Sequence, residues 1–287
     1  MSLPGPSRSG YAYAAATVLI WAGFVLLGRR AGTSALNGSD MVALRFGVAA
    51  LFLLPAWWWK WRVPLCNRRM LALMLAGGVG YTLAAYWSFR FAPAAHGAVL
   101  LSGMLPFFVA AVSWAMLGEP PRTRLRQALL CIALGVAALA VHSLDGLATS
   151  WPGDLMMLAA SLSWAIYTVL VRRWGFAPVE TTIGVTLLSA ACFLPVYFLL
   201  LPKGIQQAPL AAVLMQGIYH GVLVAIVAMV LYMQALARLG AMRLGTAMAT
   251  VPAIAGLGAT LVLGEPFSLW LVAGLLLTSL GAWLGTR

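Results

Sequence analysis

The chain has 287 residues, of which 63% are hydrophobic and 8% are charged, and its formal net charge is +12. Soluble domains carry roughly 25% charged residues, so this composition excludes a water-soluble globular protein. The basic residues stand in short loops between apolar runs rather than on one continuous face, which argues against nucleic-acid binding.

Ten apolar segments follow one another along the chain, each close to the ~20 residues that a membrane-spanning helix needs. Residues 1–10 form a short tail, and we interpret the first segment as a retained span rather than a cleaved signal peptide. Inside lipid the backbone must satisfy its own hydrogen bonds, so every segment is predicted to be a helix. The segments are Tyr11–Leu27, Gly38–Trp59, Met70–Phe91, Ala94–Leu117, Gln127–Val141, Pro152–Val171, Val179–Leu201, Ala211–Ala237, Ala241–Leu263 and Ser268–Gly285.

The basic residues predict the orientation of these spans, because cytoplasmic loops are enriched in Lys and Arg. With the N-terminus in the cytoplasm, 13 of the 18 basic residues fall on the cytoplasmic side and four on the other side. This bias predicts ten spans with both termini cytoplasmic. The remaining basic residue, Arg45, lies inside the second segment, and we expect it to reach Asp40 at the outer interface.

The same four residues stand at the ends of the fourth and ninth segments, beginning with the last residue of each. Leu117-Gly118-Glu119-Pro120 recurs 146 residues later as Leu263-Gly264-Glu265-Pro266. The chain thus divides into two repeats of five spans, residues 11–145 and 146–287. Because five is odd, the second repeat enters the membrane from the opposite side. Such inverted repeats are common in secondary transporters, whose substrate site lies near mid-membrane at the repeat interface.

The repeat also pairs aromatic residues at mid-span. Trp21 matches Trp164 at an offset of 143, and neither stands at a membrane interface, where tryptophan usually collects. Tyr167 follows Trp164 by about one helical turn, and Tyr81 lies midway along the third segment. These rings are predicted to contact a hydrophobic or aromatic substrate; the alternative is that they only fill gaps between helices.

Two prolines are paired in the same way. Pro106 and Pro252 remove a backbone donor from the fourth and ninth segments and are predicted to kink them, which shapes a cavity and exposes polar backbone. Ser102 stands on the small-residue face of the fourth segment, where substrate contact and close helix packing are both compatible with the pattern.

Further polar residues could contact a substrate. His220 lies well inside the eighth segment, and ionisable residues within a membrane are functional candidates; a neutral packing histidine is the alternative. Thr246 and Thr250 offer hydroxyl groups, which could instead bond their own helix. Glu119 and Glu265 are interpreted as structural turns, held by backbone donors at the start of the next helix.

The sequence shows no sign of a metal or cofactor site. Cys66, Cys131 and Cys192 are widely separated and form no CxxC motif. No Asp or Glu lies in the middle of any segment, which weakens a proton-antiport mechanism based on a carboxylate. His220 then remains the candidate for proton coupling, and facilitated efflux is the simpler expectation.

Each half resembles an EamA domain of the drug/metabolite transporter superfamily. The resemblance rests on residues 86–120 with Leu134-Gly135, and on residues 232–266 with Leu280-Gly281. Within the superfamily the chain is most similar to the YddG-type exporters of aromatic and other hydrophobic amino acids. The resemblance implies ten helices around a central cavity and amino-acid export across the bacterial inner membrane.

The expected function is therefore transport of a small molecule, not catalysis, and one fused chain is expected to suffice without dimerising. A drug or sugar-nucleotide carrier of the same fold is the main alternative, although few candidate cationic groups line the spans apart from Arg45, which disfavours a large anionic nucleotide. An intramembrane serine hydrolase using Ser102 and His220 is a weaker alternative, because no oxyanion donor is evident.

Overall fold

The computed structural model describes residues 8–118, 123–142 and 147–285 of the chain. Within these ranges the secondary structure is helical, apart from short connections. The helices are α1 (Arg8–Gly32), α2 (Gly38–Trp59), α3 (Arg68–Phe91), α4 (Ala94–Leu117), α5 (Thr123–His142), α6 (Leu147–Trp174), α7 (Pro178–Leu200), α8 (210–248), α9 (Val251–Leu263) and α10 (Leu269–Gly285).

Most of these helices are long enough to cross a membrane. Among the described residues, seven helices have both the length and the apolar composition of a span: α1 to α4, α6, α7 and the Leu210–Leu239 part of α8. The other three, α5, α9 and α10, contain shorter apolar stretches. The all-helical prediction is therefore confirmed, and the composition is that of a multi-pass membrane protein.

The junction between the predicted eighth and ninth segments has helical backbone throughout. The prediction separates the two segments at residues 237–241, whereas the helix continues through Met248 and an interruption falls at Ala249 and Thr250. Leu239 and Leu244 both pack in one cluster with Ala14 and Ala235, so the residues after Leu239 turn back along α1 instead of extending past its start. In the first repeat, Pro93 follows α3 and cannot continue a helix because it has no N–H group. The residue at the same repeat position in the second half is Leu239. Leucine has a backbone N–H group, so the helix can continue through this position.

The fourth helix is also interrupted, at the repeat-equivalent place. Wide π-helical turns at Gly97–Gly103 lead to a break at Met104, after which a second half-helix covers Leu105–Leu117. That half-helix and α9 each have 13 residues, and each has its proline in the first turn. Proline is tolerated there because first-turn N–H groups have no intrahelical partner.

A glycine ends each of these half-helices. Gly118 and Gly264 have φ angles of +69° and +68°, in the left-handed region. Residues with a side chain rarely adopt this backbone conformation, so glycine is the usual residue at such helix ends. The repeated Leu-Gly-Glu-Pro sequence is thus a helix stop that occurs once in each half.

Helix packing follows the repeat. α1 packs on the Ala228–Met248 part of α8, and the repeat-equivalent pair, α6 and α3, packs likewise. Two other contacts join a helix to its own repeat partner: α2 to α7, and α5 to α10. The two halves are therefore intertwined rather than placed side by side as separate domains.

The repeat partners α4 and α9 run in opposite directions. Oε1 of Glu265, just after α9 ends, accepts a hydrogen bond from the backbone N of Ala94, where α4 begins, at 2.7 Å. We call the side on which α1 begins the N-terminal face, where Gly10 approaches Leu239. The opposite face holds the end of α1, the start of α4 and the end of α9.

Candidate functional site

A cavity of about 360 Å³ lies between the two repeats. The described residues that line it come from α1 to α4 and from α6 to α9. The lining residues are Trp21, Phe24, Arg45, Phe46, Gly77, Tyr81, Leu101, Ser102, Leu105, Pro106, Trp164, Tyr167, Thr181, Thr182, Val185, Thr186, Val224, Ala225, Met229, Gly245, Met248, Ala249, Val251 and Pro252.

Aromatic rings form much of the cavity wall. The Tyr81 and Trp164 ring centroids are 4.8 Å apart, and those of Trp164 and Tyr167 are 4.9 Å apart. Trp21 contacts the ring of Tyr232, with 5.5 Å between centroids. Such tilted aromatic neighbours stabilise one another and offer flat apolar surfaces to a ligand. Trp21, Trp164, Tyr81 and Tyr167 are thus brought together around one space.

A glycine makes room for this wall. A Cβ atom added to Gly77, in the π-helical part of α3, would lie 2.3 Å from Cδ2 of Tyr167. No real contact is that short, so the Tyr167 ring depends on the missing side chain to pack against the α3 backbone. Nothing in the sequence distinguishes Gly77, because a lone glycine in an apolar segment has many structural explanations.

The broken helices contribute backbone as well as side chains. Pro106 and Pro252 both line the cavity, and so do Ser102 and Met248, each four residues before its proline. A proline has no N–H group to donate to the carbonyl four residues earlier. Both repeats therefore bring a segment with incomplete helical hydrogen bonding to the cavity.

Of the described residues that line the cavity, Arg45 is the one with a cationic side chain. Its Nη1 donates to the hydroxyl of Tyr86 at 3.4 Å, and its Nε is buried without a hydrogen-bond partner. The guanidinium lies 6.0 Å from the centroid of the Phe24 ring. The cavity thus combines an apolar wall with a single positive charge.

The predicted pairing of Arg45 with Asp40 is wrong. Asp40 is fully buried, and its Oδ1 accepts from the hydroxyl of Tyr197 at 2.6 Å. Its Oδ2 accepts from the backbone N of Asn37 and of Gly204. Asn37 and Asp40 form a capping box at the start of α2, which uses the carboxylate locally and leaves Arg45 to the cavity.

His220 does not line the cavity. It is fully buried behind the wall, where its Nδ1 is 2.9 Å from the Tyr86 hydroxyl. The Tyr86 hydroxyl can accept from Arg45 and donate its own hydrogen to His220. The structure therefore connects His220 to the cavity through Tyr86, not by direct exposure.

Thr250 is not among the described residues that line the cavity. Thr250 is exposed, and its hydroxyl donates to the carbonyl of Ala247 at 2.7 Å. The side chain of Thr246 lies outside the described part of the structure. Thr181, Thr182 and Thr186 of α7 line the cavity instead. These three threonines were not predicted from the sequence, because α7 begins with an ordinary polar turn.

Glu265 caps a helix of the other repeat. Its Oε2 accepts from the N of Ala95 at 3.0 Å, next to the bond at Ala94, and its Oε1 lies 3.6 Å from Nε of Arg29. The donors therefore begin α4, not the following helix α10, which corrects the prediction. A carboxylate is favourable there because the N-terminus of a helix carries partial positive charge. Glu119 lies outside the described residues.

Other polar contacts join the elements of the opposite face. Nδ1 of His96 lies 2.7 Å from Oδ1 of Asp154, which links α4 to α6. Nδ2 of Asn37 donates to the carbonyl of Pro202 at 3.0 Å. These bonds hold the opposite face together, whereas the cavity lining extends toward the N-terminal face at Thr181 and Thr182, in the first turn of α7.

Comparisons with known proteins agree with this architecture. A solved crystal structure superimposes with a TM-score of 0.66, covering 97% of this chain and 98% of the other, at 22% sequence identity. That likeness concerns the fold alone. No curated protein sequence gives a significant match. The profile of the EamA-like transporter family matches the chain twice, over residues 8–141 and 151–287.

The two matches together cover nearly the whole chain, and each falls on one of the two sequence repeats. The intertwined helices and the cavity between the repeats accord with a path for a small molecule. The chain belongs to the EamA-like transporter family.

Proposed function

We propose that this protein exports aromatic and other hydrophobic amino acids, or similar small metabolites, across the bacterial inner membrane by alternating access. The observation that carries the proposal is the aromatic cavity between the repeats. Trp21, Tyr81, Trp164 and Tyr167 surround a space of about 360 Å³, which is within the usual size of small-molecule sites. Ser102 and the threonines of α7 add a few hydroxyl groups.

The proposed mechanism uses the broken helices. α4 and α9 have unpaired backbone at the cavity and independent half-helices beyond it, so either can bend near its proline. Bending would open one face while the other closes. The contacts of Glu265 and Asp154 support a closed opposite face in the present conformation. A complete path within one fused chain requires no second copy.

A cationic drug is a poorer substrate for this cavity. Among the described residues, the lining contains Arg45 and no carboxylate. A cation would therefore meet a like charge without a counterion. The hydrolase alternative is not supported either, since the described hydrogen bond of the His220 ring joins it to Tyr86 and not to Ser102.

The test is uptake into proteoliposomes that contain the purified protein. A panel of all amino acids is measured with and without a pH gradient, and we expect tryptophan, phenylalanine and leucine to accumulate. Equal transport with and without the pH gradient would indicate facilitated diffusion. Proteoliposomes that move no amino acid would contradict the proposal.

A matched pair of variants tests the cavity. Trp164→Ala removes a ring that contacts both Tyr81 and Tyr167, and we expect at least a tenfold loss of uptake at low substrate concentration. Trp59→Ala is the control, because Trp59 is 84% exposed and lies at the end of α2. Equal loss in both variants would contradict a substrate role for Trp164.

A further inference from the structure

Arg45 has no acidic partner in the described part of the protein. Among the described residues its one polar contact is the long hydrogen bond to Tyr86, and its Nε is buried without a described partner. A charged side chain within a membrane is costly, so such residues normally pair with an opposite charge or with backbone carbonyls. Here the guanidinium lies beside the cavity.

The nearby carboxylate is already used elsewhere. Asp40 receives hydrogen bonds from Tyr197, Asn37 and Gly204, all at the opposite face. Arg45, one and a half turns further along α2, faces Phe24, Phe46 and the cavity. The protein therefore fixes a cation beside an apolar wall, and no described side chain supplies its counterion.

We propose that Arg45 binds the carboxylate of the substrate while the Trp21, Tyr81 and Trp164 rings hold its apolar body. The substrate class is then a small apolar or aromatic carboxylate, and this assignment rests on the proposed transport function. Arginine suits the role because its planar fork of donors can bind a carboxylate with two parallel hydrogen bonds. The ammonium group of a substrate would find no oppositely charged side chain, because the described lining holds no carboxylate.

The first experiment uses the wild-type protein and three indole compounds. Uptake of radiolabelled tryptophan is measured in competition with indole-3-propionate, which keeps the carboxylate, and tryptamine, which keeps only the amine. We expect indole-3-propionate to compete within about threefold of unlabelled tryptophan, and tryptamine to compete at least tenfold more weakly. Equal or stronger competition by tryptamine would overturn the proposal.

The second experiment changes Arg45. Arg45→Gln should raise the apparent KM for tryptophan roughly ten- to hundredfold, because a charge-assisted hydrogen bond is lost. Arg45→Lys keeps the positive charge but lacks the planar set of donors, so we expect a smaller rise in KM than in Arg45→Gln. Arg90→Gln is the control, since Arg90 is exposed and its removal changes the net charge equally. A folded Arg45→Gln variant with unchanged KM would overturn the proposal.

A binding measurement separates this inference from the proposed function. Calorimetry with the purified wild-type protein reports binding of tryptophan and indole-3-propionate directly. Binding of indole-3-propionate alone, without transport of any amino acid, would refute amino-acid export and support the carboxylate site. Binding of neither compound would refute the site, and this assay does not depend on whether the Arg45 variants fold.

Discussion

Single residues determine the shape of the cavity. Gly77 leaves the volume into which Tyr167 packs, and Tyr167 in turn contacts Trp164. The sequence indicated the rings because they are bulky, paired by the repeat and far from the segment ends. It did not indicate the glycine, whose role depends on which helix faces α3.

Gly77→Ala should disturb this wall. The new methyl group would lie 2.3 Å from Tyr167, and overpacking of this kind costs about 1–3 kcal/mol. We expect a lower unfolding temperature in detergent and reduced tryptophan uptake. Gly47→Ala is the control, because its Cβ would meet nothing closer than 3.9 Å. Similar melting temperatures for both variants would contradict this account.

Arg45 shows where residue-level sequence reasoning failed. The prediction joined it to Asp40 because the two charges are close along α2. The Asn37-Gly38-Ser39-Asp40 sequence already had the form of a capping box, in which the fourth residue turns back to the helix start. That local rule assigns the Asp40 carboxylate to the start of α2. Arg45 is then left without an acidic partner, and this is the property that points to its role in the cavity.

At the scale of elements, the sequence predicted kinks at Pro106 and Pro252, and each proline lies in the first turn of a 13-residue half-helix. It did not predict that these half-helices begin just before the prolines and end at the paired glycines. The junction between α8 and α9 is hard to place from the sequence. Apolar composition alone does not locate a turn, and the second repeat has Leu239 where the first has Pro93.

The cap between repeats can be tested at this scale. Glu265→Gln removes the charge that faces Arg29 and the N-terminus of α4, and loss of such a cap costs about 0.5–2 kcal/mol. We expect a measurable fall in unfolding temperature. Glu180→Gln is the matched control, because Glu180 is exposed and accepts one backbone bond at 3.3 Å within its own helix start. A larger fall in unfolding temperature for Glu180→Gln than for Glu265→Gln would contradict the role of Glu265 as a cap between the repeats.

At the scale of the whole molecule, the number of spans and their orientation remain predictions from the loop charges. Lys203 lies between α7 and α8 on the opposite face, and Cys66 lies between α2 and α3 on the N-terminal face. Both residues belong to described connections, and Cys66 is exposed. They provide one reporter for each side of the membrane.

The orientation is tested with a membrane-impermeant maleimide. In a background with Cys131→Ala and Cys192→Ala, Lys203→Cys should react in intact cells, whereas Cys66 should react only in inverted vesicles. This pattern follows from the excess of basic residues on the N-terminal face. Labelling of Cys66 from outside intact cells would show that the orientation is reversed.

The contacts of α2 with α7 and of α5 with α10 have a historical consequence. In a shorter ancestor that encoded a single repeat, each of these contacts would join a helix to the same helix of a second copy. The two copies would have to insert in opposite directions, so neither could carry a strong excess of basic residues on one side. A fused chain is free of that restriction, because each half can carry the loop charges that suit its own direction.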